Sequence, residues 1–363
     1  MAFDSSLLLP QAPQAPQPLQ TRRAAWTPWA LLSVAPLGLI LTLAFAPSAA
    51  LANKSEATSR GQTPLPSALI SVAELKPLVD RKAVTVLDTR ELLQSDQKTP
   101  NFEAGRIPGA LPAPYSLFRL GKDNPGQAPT AERLSEIASQ LGIRPDMPLV
   151  LTGSGSDPTE FGGVARVYWN LKLAGFQHLA ILNGGFGAWL AAGYATQTGP
   201  AKLSPQPIRL SLRPAMLLTT PSLQAALQQS EKPHLIDARP EEFFMGEIRH
   251  PSAARWGTLP EAQHIDSEEW FVANTGRLLP RADLQRLAQT LGIDGKRPTV
   301  AFCNTGHWAA TQWFVLSEIL GHAQARLYAE SVVGWSKAAL PMDNEPTRAV
   351  ALLRQAQGKG IQN

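Results

Sequence analysis

Leu141-Gly142-Ile143 returns as Leu291-Gly292-Ile293, a shift of 150 positions that also carries Pro148 to Pro298, Val150 to Val300 and Gly153 to Cys303. Upstream, Val86-Leu87-Asp88-Thr89-Arg90 matches Leu235-Ile236-Asp237-Ala238-Arg239 at a shift of 149. Downstream, Gly175 maps to Gly321 and Trp189 to Trp335 at a shift of 146. Landmarks that keep their order over such distances mean one structural unit used twice. Each copy shows short apolar, β-branched runs: Val84–Leu87, Leu149–Leu151 and Ala180–Leu182 in the first, His234–Ile236, Thr299–Phe302 and Arg326–Tyr328 in the second. Helix-period segments lie between them, for example Thr130–Leu141 and Arg281–Leu291. Strands alternating with helices predict α/β domains, each a parallel sheet flanked by helices on both faces. A hydrophobic content of 44% with 17% charged residues is enough to give each its own core.

The repeat sets the domain plan. Residues 67–199 form the first copy, a Pro-rich linker covers 200–214, and residues 215–344 form the second copy. A polar tail, 345–363, is expected to fray, with Arg348–Gln355 able to add a helical turn or two. Residues 1–52 read as an export signal, with Arg22-Arg23 as the positive region, Ala30 to Phe45 as the apolar region and Ala50-Leu51-Ala52 as the cleavage site. A flexible stretch, 53–66, follows. The apolar region is short and interrupted by Pro36, so cleavage and a periplasmic or otherwise exported product are expected, with an uncleaved membrane anchor as the alternative. Removing the leader takes away Arg22, Arg23 and Asp4 and lowers the net charge from +4 to +3. The remaining basic residues are scattered, which argues against a nucleic-acid partner.

Cys303 is the one cysteine in the chain. It follows the strand-like run Thr299–Phe302 and precedes a helix-period stretch from Ala309 to Leu320. A strand that ends on a nucleophile and turns into a helix aims backbone N–H groups at one point and sets the positive end of the helix dipole beside the sulfur. Such surroundings favour a thiolate and stabilise an added anion. The alternative is a small, inert, buried apolar residue. The active reading places the sulfhydryl open to solvent and expects the amides of Asn304, Thr305, Gly306, His307, Trp308 and Ala309 to form a cradle around it, as an oxyanion hole does for oxygen. Gly306 allows the tight loop path. In this scheme Asp237 and Arg239 pin the strand end as supporting residues. His307 either assists proton transfer or packs the loop, and Trp308 either caps the pocket or anchors the helix. The six histidines show no metal-ligand spacing and a single cysteine builds no thiolate site, so neither metal nor cofactor is expected.

These segments resemble tandem-domain rhodaneses, the family that includes thiosulfate and mercaptopyruvate sulfurtransferases. The resemblance rests on the two Asp-x-Arg strand ends, Arg106-Ile107-Pro108-Gly109-Ala110, Leu182-Asn183-Gly184-Gly185-Phe186 with Trp189, and His250-Pro251 leading to Gly257-Thr258-Leu259-Pro260-Glu261-Ala262. It spans Ser67 to Pro341. It implies that Cys303 accepts a sulfane sulfur from a small anionic donor of the thiosulfate or 3-mercaptopyruvate type. The persulfide then passes that sulfur to a thiol, a cyanide-like acceptor or a protein thiol. The first copy, with Gly153 in place of the cysteine and a loop four residues longer, would be a non-catalytic wall of the cleft. Thr305 agrees with the Cys-Gly-Ser/Thr-Gly loop of mercaptopyruvate-type relatives, whereas Asn304 fits neither that loop nor the Cys-Arg-Lys-Gly of thiosulfate-type ones. Gly187 replaces an arginine common after Gly-Gly-Phe, which makes Arg106 and Arg166 the candidates to bind the donor. A phosphatase would need an arginine six positions after the cysteine, where this chain has Ala309. A rival of another class is a periplasmic persulfide carrier or interaction module with little turnover.

Overall fold

The computed structural model describes residues 65–362 apart from 95–97, 99, 122 and 358–359. The export signal and its cleavage site lie outside the described residues. In the first domain β1 (Leu69–Ile70) leads into α1 (Val72–Asp80), whose start is fixed by a reciprocal capping box between Ser71 and Glu74. Then come β2 (Thr85–Asp88), β3 (Leu111–Pro112) and a short 3-10 helix, Tyr115–Phe118. Thr130 caps α2 (Ala131–Leu141), which ends on left-handed Gly142 and buries Leu134, Ile137, Ala138 and Leu141 as one stripe. The domain finishes with β4 (Leu149–Thr152), α3 (Pro158–Leu173), β5 (Leu179–Leu182) and α4 (Gly185–Ala191).

The second domain repeats the series with α5 (Thr220–Ala226), β6 (His234–Asp237), α6 (Glu241–Phe244), β7 (Gln263–His264), α7 (Arg281–Thr290), β8 (Thr299–Phe302) and α8 (Trp308–Trp313). β9 (Ala325–Leu327), α9 (Ser331–Lys337) and α10 (Arg348–Ala356) complete it. Both sheets are parallel. The first runs β1-β5-β4-β2-β3 and the second β7-β6-β8-β9. The second order matches β3-β2-β4-β5 of the first, so the repeat holds for four strands, and among the described residues the second sheet has no counterpart of β1. Gly153 and Cys303 therefore both fall just beyond the carboxyl end of a central strand, where parallel sheets bind ligands.

Two domains on one chain need not be rigidly joined, but here one apolar cluster crosses the boundary. Almost all of α3 from Phe161 to Leu173 is buried, and it packs on α8. Phe161 and Tyr168 meet Phe314 edge-on at 5.9 and 5.0 Å between ring centroids. The stretch expected to run as one helix from Ala309 to Leu320 instead widens into a π-helix over Phe314–Ile319. That segment brings Glu318 to the Tyr168 hydroxyl and the Lys172 ammonium, both at 2.7 Å. The 200–214 segment is a connection without regular strands, yet it is laid against the first domain. Ser139 and Ser135 of α2 accept the N–H groups of Ile208 and Leu210, and Leu210 is buried. In the tail, the stretch Arg348–Gln355 that could add a helical turn or two lies in α10, capped by Thr347, and Arg249 exchanges backbone bonds with Gly360 and Gln362. Among the described residues no helix is long and apolar enough to cross a membrane.

Candidate active site

Cys303 leaves β8 in a position fixed from two sides. Its N–H donates to Ser331 Oγ at 3.1 Å, and the Ser331 hydroxyl donates to the Tyr328 carbonyl at 2.8 Å. The carbonyls of Cys303 and Asn304 accept from Val332 and Val333 of α9. Ser331 makes these bonds from a left-handed conformation, φ 53°, that a non-glycine residue rarely holds. Strain of this kind persists only where the surroundings over-determine it.

Beneath the loop lies the predicted ion pair. Asp237 Oδ1 accepts from Arg239 Nε at 2.8 Å and Oδ2 from Arg239 Nη2 at 2.6 Å, with the Thr258 hydroxyl adding a third donor at 2.6 Å. Both residues are buried. The free arm of the guanidinium, Nη1, reaches Asn304 Oδ1 at 3.2 Å, so the pair positions the residue next to the nucleophile. The first domain builds the same device from Asp88 and Arg90, with Asn101 in the role of Asn304. Asn304 Nδ2 is buried without a partner among the described residues. Among the described residues no protein acceptor takes the backbone N–H groups of Asn304, Thr305, Gly306 or His307.

The first domain closes over this loop. Arg166, on α3 and fully buried, donates from Nη1 to the carbonyls of Thr305 (3.3 Å) and Gly306 (3.1 Å) and from Nη2 to that of Gly126 (2.8 Å). Gly306 takes φ 69° with its Cα against that guanidinium, a place where a Cβ would collide with Nη1. Burial, with Arg119 alongside, pulls the Arg166 guanidinium down to about 9, which leaves it a cation at neutral pH. Arg119 Nη1 donates to the same Thr305 carbonyl at 3.0 Å, and its guanidinium lies over the Tyr115 ring. His307 is held at both nitrogens: Nε2 lies 2.6 Å from the Thr159 carbonyl and Nδ1 3.0 Å from the Tyr115 hydroxyl. A carbonyl only accepts, so Nε2 carries the proton and Tyr115 donates to Nδ1. Burial, helped by Arg119, pushes His307 down to about 4, and burial keeps the Tyr115 phenol protonated. His307 is therefore a neutral clasp between domains, and at neutral pH it has no proton on Nδ1 to give to a leaving group. Trp308 Nε1 donates to the Thr159 hydroxyl at 3.1 Å, extending the clasp.

Two expectations change in the light of this closure. The sulfhydryl was expected to lie open to solvent, but Cys303 is only 1% exposed, because side chains of the first domain press on its loop. Arg106, a candidate to bind the donor, is buried elsewhere. Its guanidinium bonds the carbonyls of Gly199 and Pro200 and stacks on Phe102, so its charge serves the start of the 200–214 segment. Cys303, Asn304, Thr305, Gly306, His307, Trp308, Ala309, Asp237, Arg239 and Arg166 are brought together. Tyr115, Arg119 and Ser331 were not anticipated. The first two sit in the turn after Ile107-Pro108-Gly109-Ala110, a segment that leads to the carboxyl end of β3, and that placement was their only signal in the sequence.

The duplicated loop shows what such a turn attracts. At Gly153 a Cβ would fall inside the Glu160 carboxylate. That carboxylate accepts the N–H groups of Ser154 at 2.8 Å and Gly155 at 3.0 Å, the positions that the 150-residue shift maps onto Asn304 and Thr305. The first copy has filled its amide turn with its own carboxyl group.

Known proteins resemble this chain over most of its length. A sequence of the SseB type from Mycobacterium tuberculosis, named "Putative thiosulfate sulfurtransferase SseB", is 29% identical over 299 residues, 80% of this chain and 98% of the relative. A Schizosaccharomyces pombe protein named "Probable 3-mercaptopyruvate sulfurtransferase" is 27% identical, covering 73% of this chain and 91% of its own. Among solved structures, EanB in complex with ergothioneine superposes with a TM-score of 0.67 at 18% identity, over 77% of this chain and 71% of that one, a likeness of fold. Residues 71–192 and 220–338 each match the family described as Rhodanese-like domain. The protein belongs to that family and carries its domain twice.

Proposed function

We propose that this protein is a sulfurtransferase that moves a sulfane sulfur from a small anionic donor, of the thiosulfate or 3-mercaptopyruvate type, to a thiophilic acceptor. In the first step the Cys303 thiolate attacks the outer sulfur of the donor. The bond from that sulfur to the rest of the donor breaks, and its electron pair leaves with the remainder. Thiosulfate thus releases sulfite. Mercaptopyruvate releases pyruvate once the departing carbon takes up the thiol proton. Cys303 is left as an anionic persulfide. In the second step an acceptor thiolate or cyanide attacks the outer sulfur, and the S–S electron pair returns to Cys303.

One observation carries this reading. The amides that follow Cys303 have no protein acceptor among the described residues, while their counterparts at Ser154 and Gly155 bind a carboxylate. Amides so arranged in a loop stabilise added negative charge. The relatives named for sulfur transfer point the same way. Intact-mass measurement after exposure to thiosulfate or 3-mercaptopyruvate tests it: one sulfur atom should be gained per chain, and none by Cys303→Ser. No gain with either donor would refute sulfur transfer.

The burial of Cys303 favours a second reading, a persulfide carrier that guards its sulfur until a partner thiol opens the cleft. Rapid discharge of loaded protein to cyanide or a small dithiol selects the enzyme; discharge only to a protein thiol selects the carrier. Export to the periplasm, with cleavage after Ala52, belongs to this proposal, and mass analysis of protein from whole cells checks it.

A further inference from the structure

Arg119 and Arg166 converge on one atom. Their Nη1 groups stand 3.0 and 3.3 Å from the Thr305 carbonyl oxygen, two residues past Cys303. Neither arginine forms an ion pair among the described residues, whereas Arg90 and Arg239 each hold an aspartate. Two guanidinium groups brought to a shared acceptor without a carboxylate repel one another, and an anion beside them relieves that repulsion.

The two cations differ in how far they are committed. Arg166 is fully buried and bonded to the carbonyls of Thr305, Gly306 and Gly126, so it fixes the path of the loop. Arg119 is only partly buried and spends Nη1 on Thr305 while its guanidinium rests on Tyr115; Nε and Nη2 have no protein acceptor among the described residues. Those N–H groups present a planar fork of the kind that grips two oxygens of a carboxylate or sulfonate. We propose that Arg119, supplied by the domain without a nucleophile, is the residue that seats the anionic group of the sulfur donor and sets a preference for the more highly charged donor. This rests on the sulfur-transfer reading above, but it can be separated from it.

The test compares Arg119→Gln and Arg119→Lys with the parent protein in two assays. In the first, rates of sulfur loading on Cys303 are followed by intact mass with thiosulfate, a dianion, and 3-mercaptopyruvate, a monoanion. Arg119→Gln should lose about ten- to a hundredfold with thiosulfate, the range for removing a charge-assisted contact, and clearly less with mercaptopyruvate. Arg119→Lys should recover part of the loss. Equal losses with both donors, or none, overturn the proposal. In the second assay Cys303 is alkylated with iodoacetate and with iodoacetamide, which share a reactive carbon and differ in charge. Any change in thiol reactivity affects both reagents, so their rate ratio reports the seat alone. The ratio should fall about tenfold or more in Arg119→Gln. An unchanged ratio, or labelling by neither reagent, overturns the seat. A falling ratio in a protein that loads sulfur from no donor upholds the anion seat and refutes sulfur transfer.

Discussion

Acidification bears directly on the clasp between the two domains. His307 holds Tyr115 and Thr159 as a neutral imidazole, and its folded-state value is lowered from 6.5 to about 4, chiefly by burial and then by Arg119. The unfolded chain takes up this proton as the pH falls through 6.5, while the folded chain refuses it until about 4. Stability is therefore complete above pH 6.5, declines between 6.5 and 4, and levels off below. A displacement of that size corresponds to at most about 3 kcal/mol, and we expect about 2–3 because the residue is not fully sealed from water. His234, His250 and His322 are also lowered by burial, so the absolute curve mixes several groups. The difference between the parent and His307→Gln isolates one. Urea unfolding at intervals from pH 7.5 to 4 should give a stability gap, about 1–3 kcal/mol at neutral pH for the disturbed hydrogen bonds, that closes or reverses by about 2–3 kcal/mol toward pH 4. A gap that stays constant across this range would show that His307 is not held neutral, and the argument for the clasp fails.

Other perturbations follow from the same geometry. Asp237→Asn leaves the Arg239 guanidinium buried beside a neutral partner and should cost about 3–5 kcal/mol in thermal or urea unfolding. Gly306→Ala adds a methyl at a positive φ against the Arg166 guanidinium and the Ala329 backbone carbonyl; it should cost about 2–5 kcal/mol of stability in urea unfolding and slow sulfur loading, as measured by timed mass spectra. Gly153→Cys should not create a second loading site, because Glu160 occupies the space its side chain needs; a protein carrying two sulfur atoms per chain would contradict this.

The parts of the molecule that were legible in the sequence are those written locally. The 150-residue shift announced two copies of one unit, and both Asp-x-Arg strand ends fold as ion pairs, the Asp237–Arg239 pair fully buried at the strand end it was expected to pin. Cys303 falls at the strand-to-helix turn that its flanking pattern required. What could not be read is what the other domain brings. Arg119 meets Thr305 across 186 positions and Tyr115 meets His307 across 192, distances over which no periodicity or spacing carries information. The burial of Cys303 has the same origin. Arg106 illustrates the converse: a cation in a family-like segment looks available until the carbonyls of Gly199 and Pro200 are seen to claim it. The π-helical turn was hidden because its apolar period differs little from that of an ordinary helix over six residues.

Glu160 makes the two halves unequal before any chemistry begins. The first copy receives a carboxyl group from the helix that follows its own loop, so its amides find their acceptor on folding. The second gains its counterpart when a persulfide forms. A persulfide anion held by these amides in the folded protein and left to water in the unfolded one should make the sulfur-loaded protein resist heat better than the unloaded one. A freshly purified stock would then melt in two steps whose proportions track its sulfur content, a readout that precedes any turnover assay.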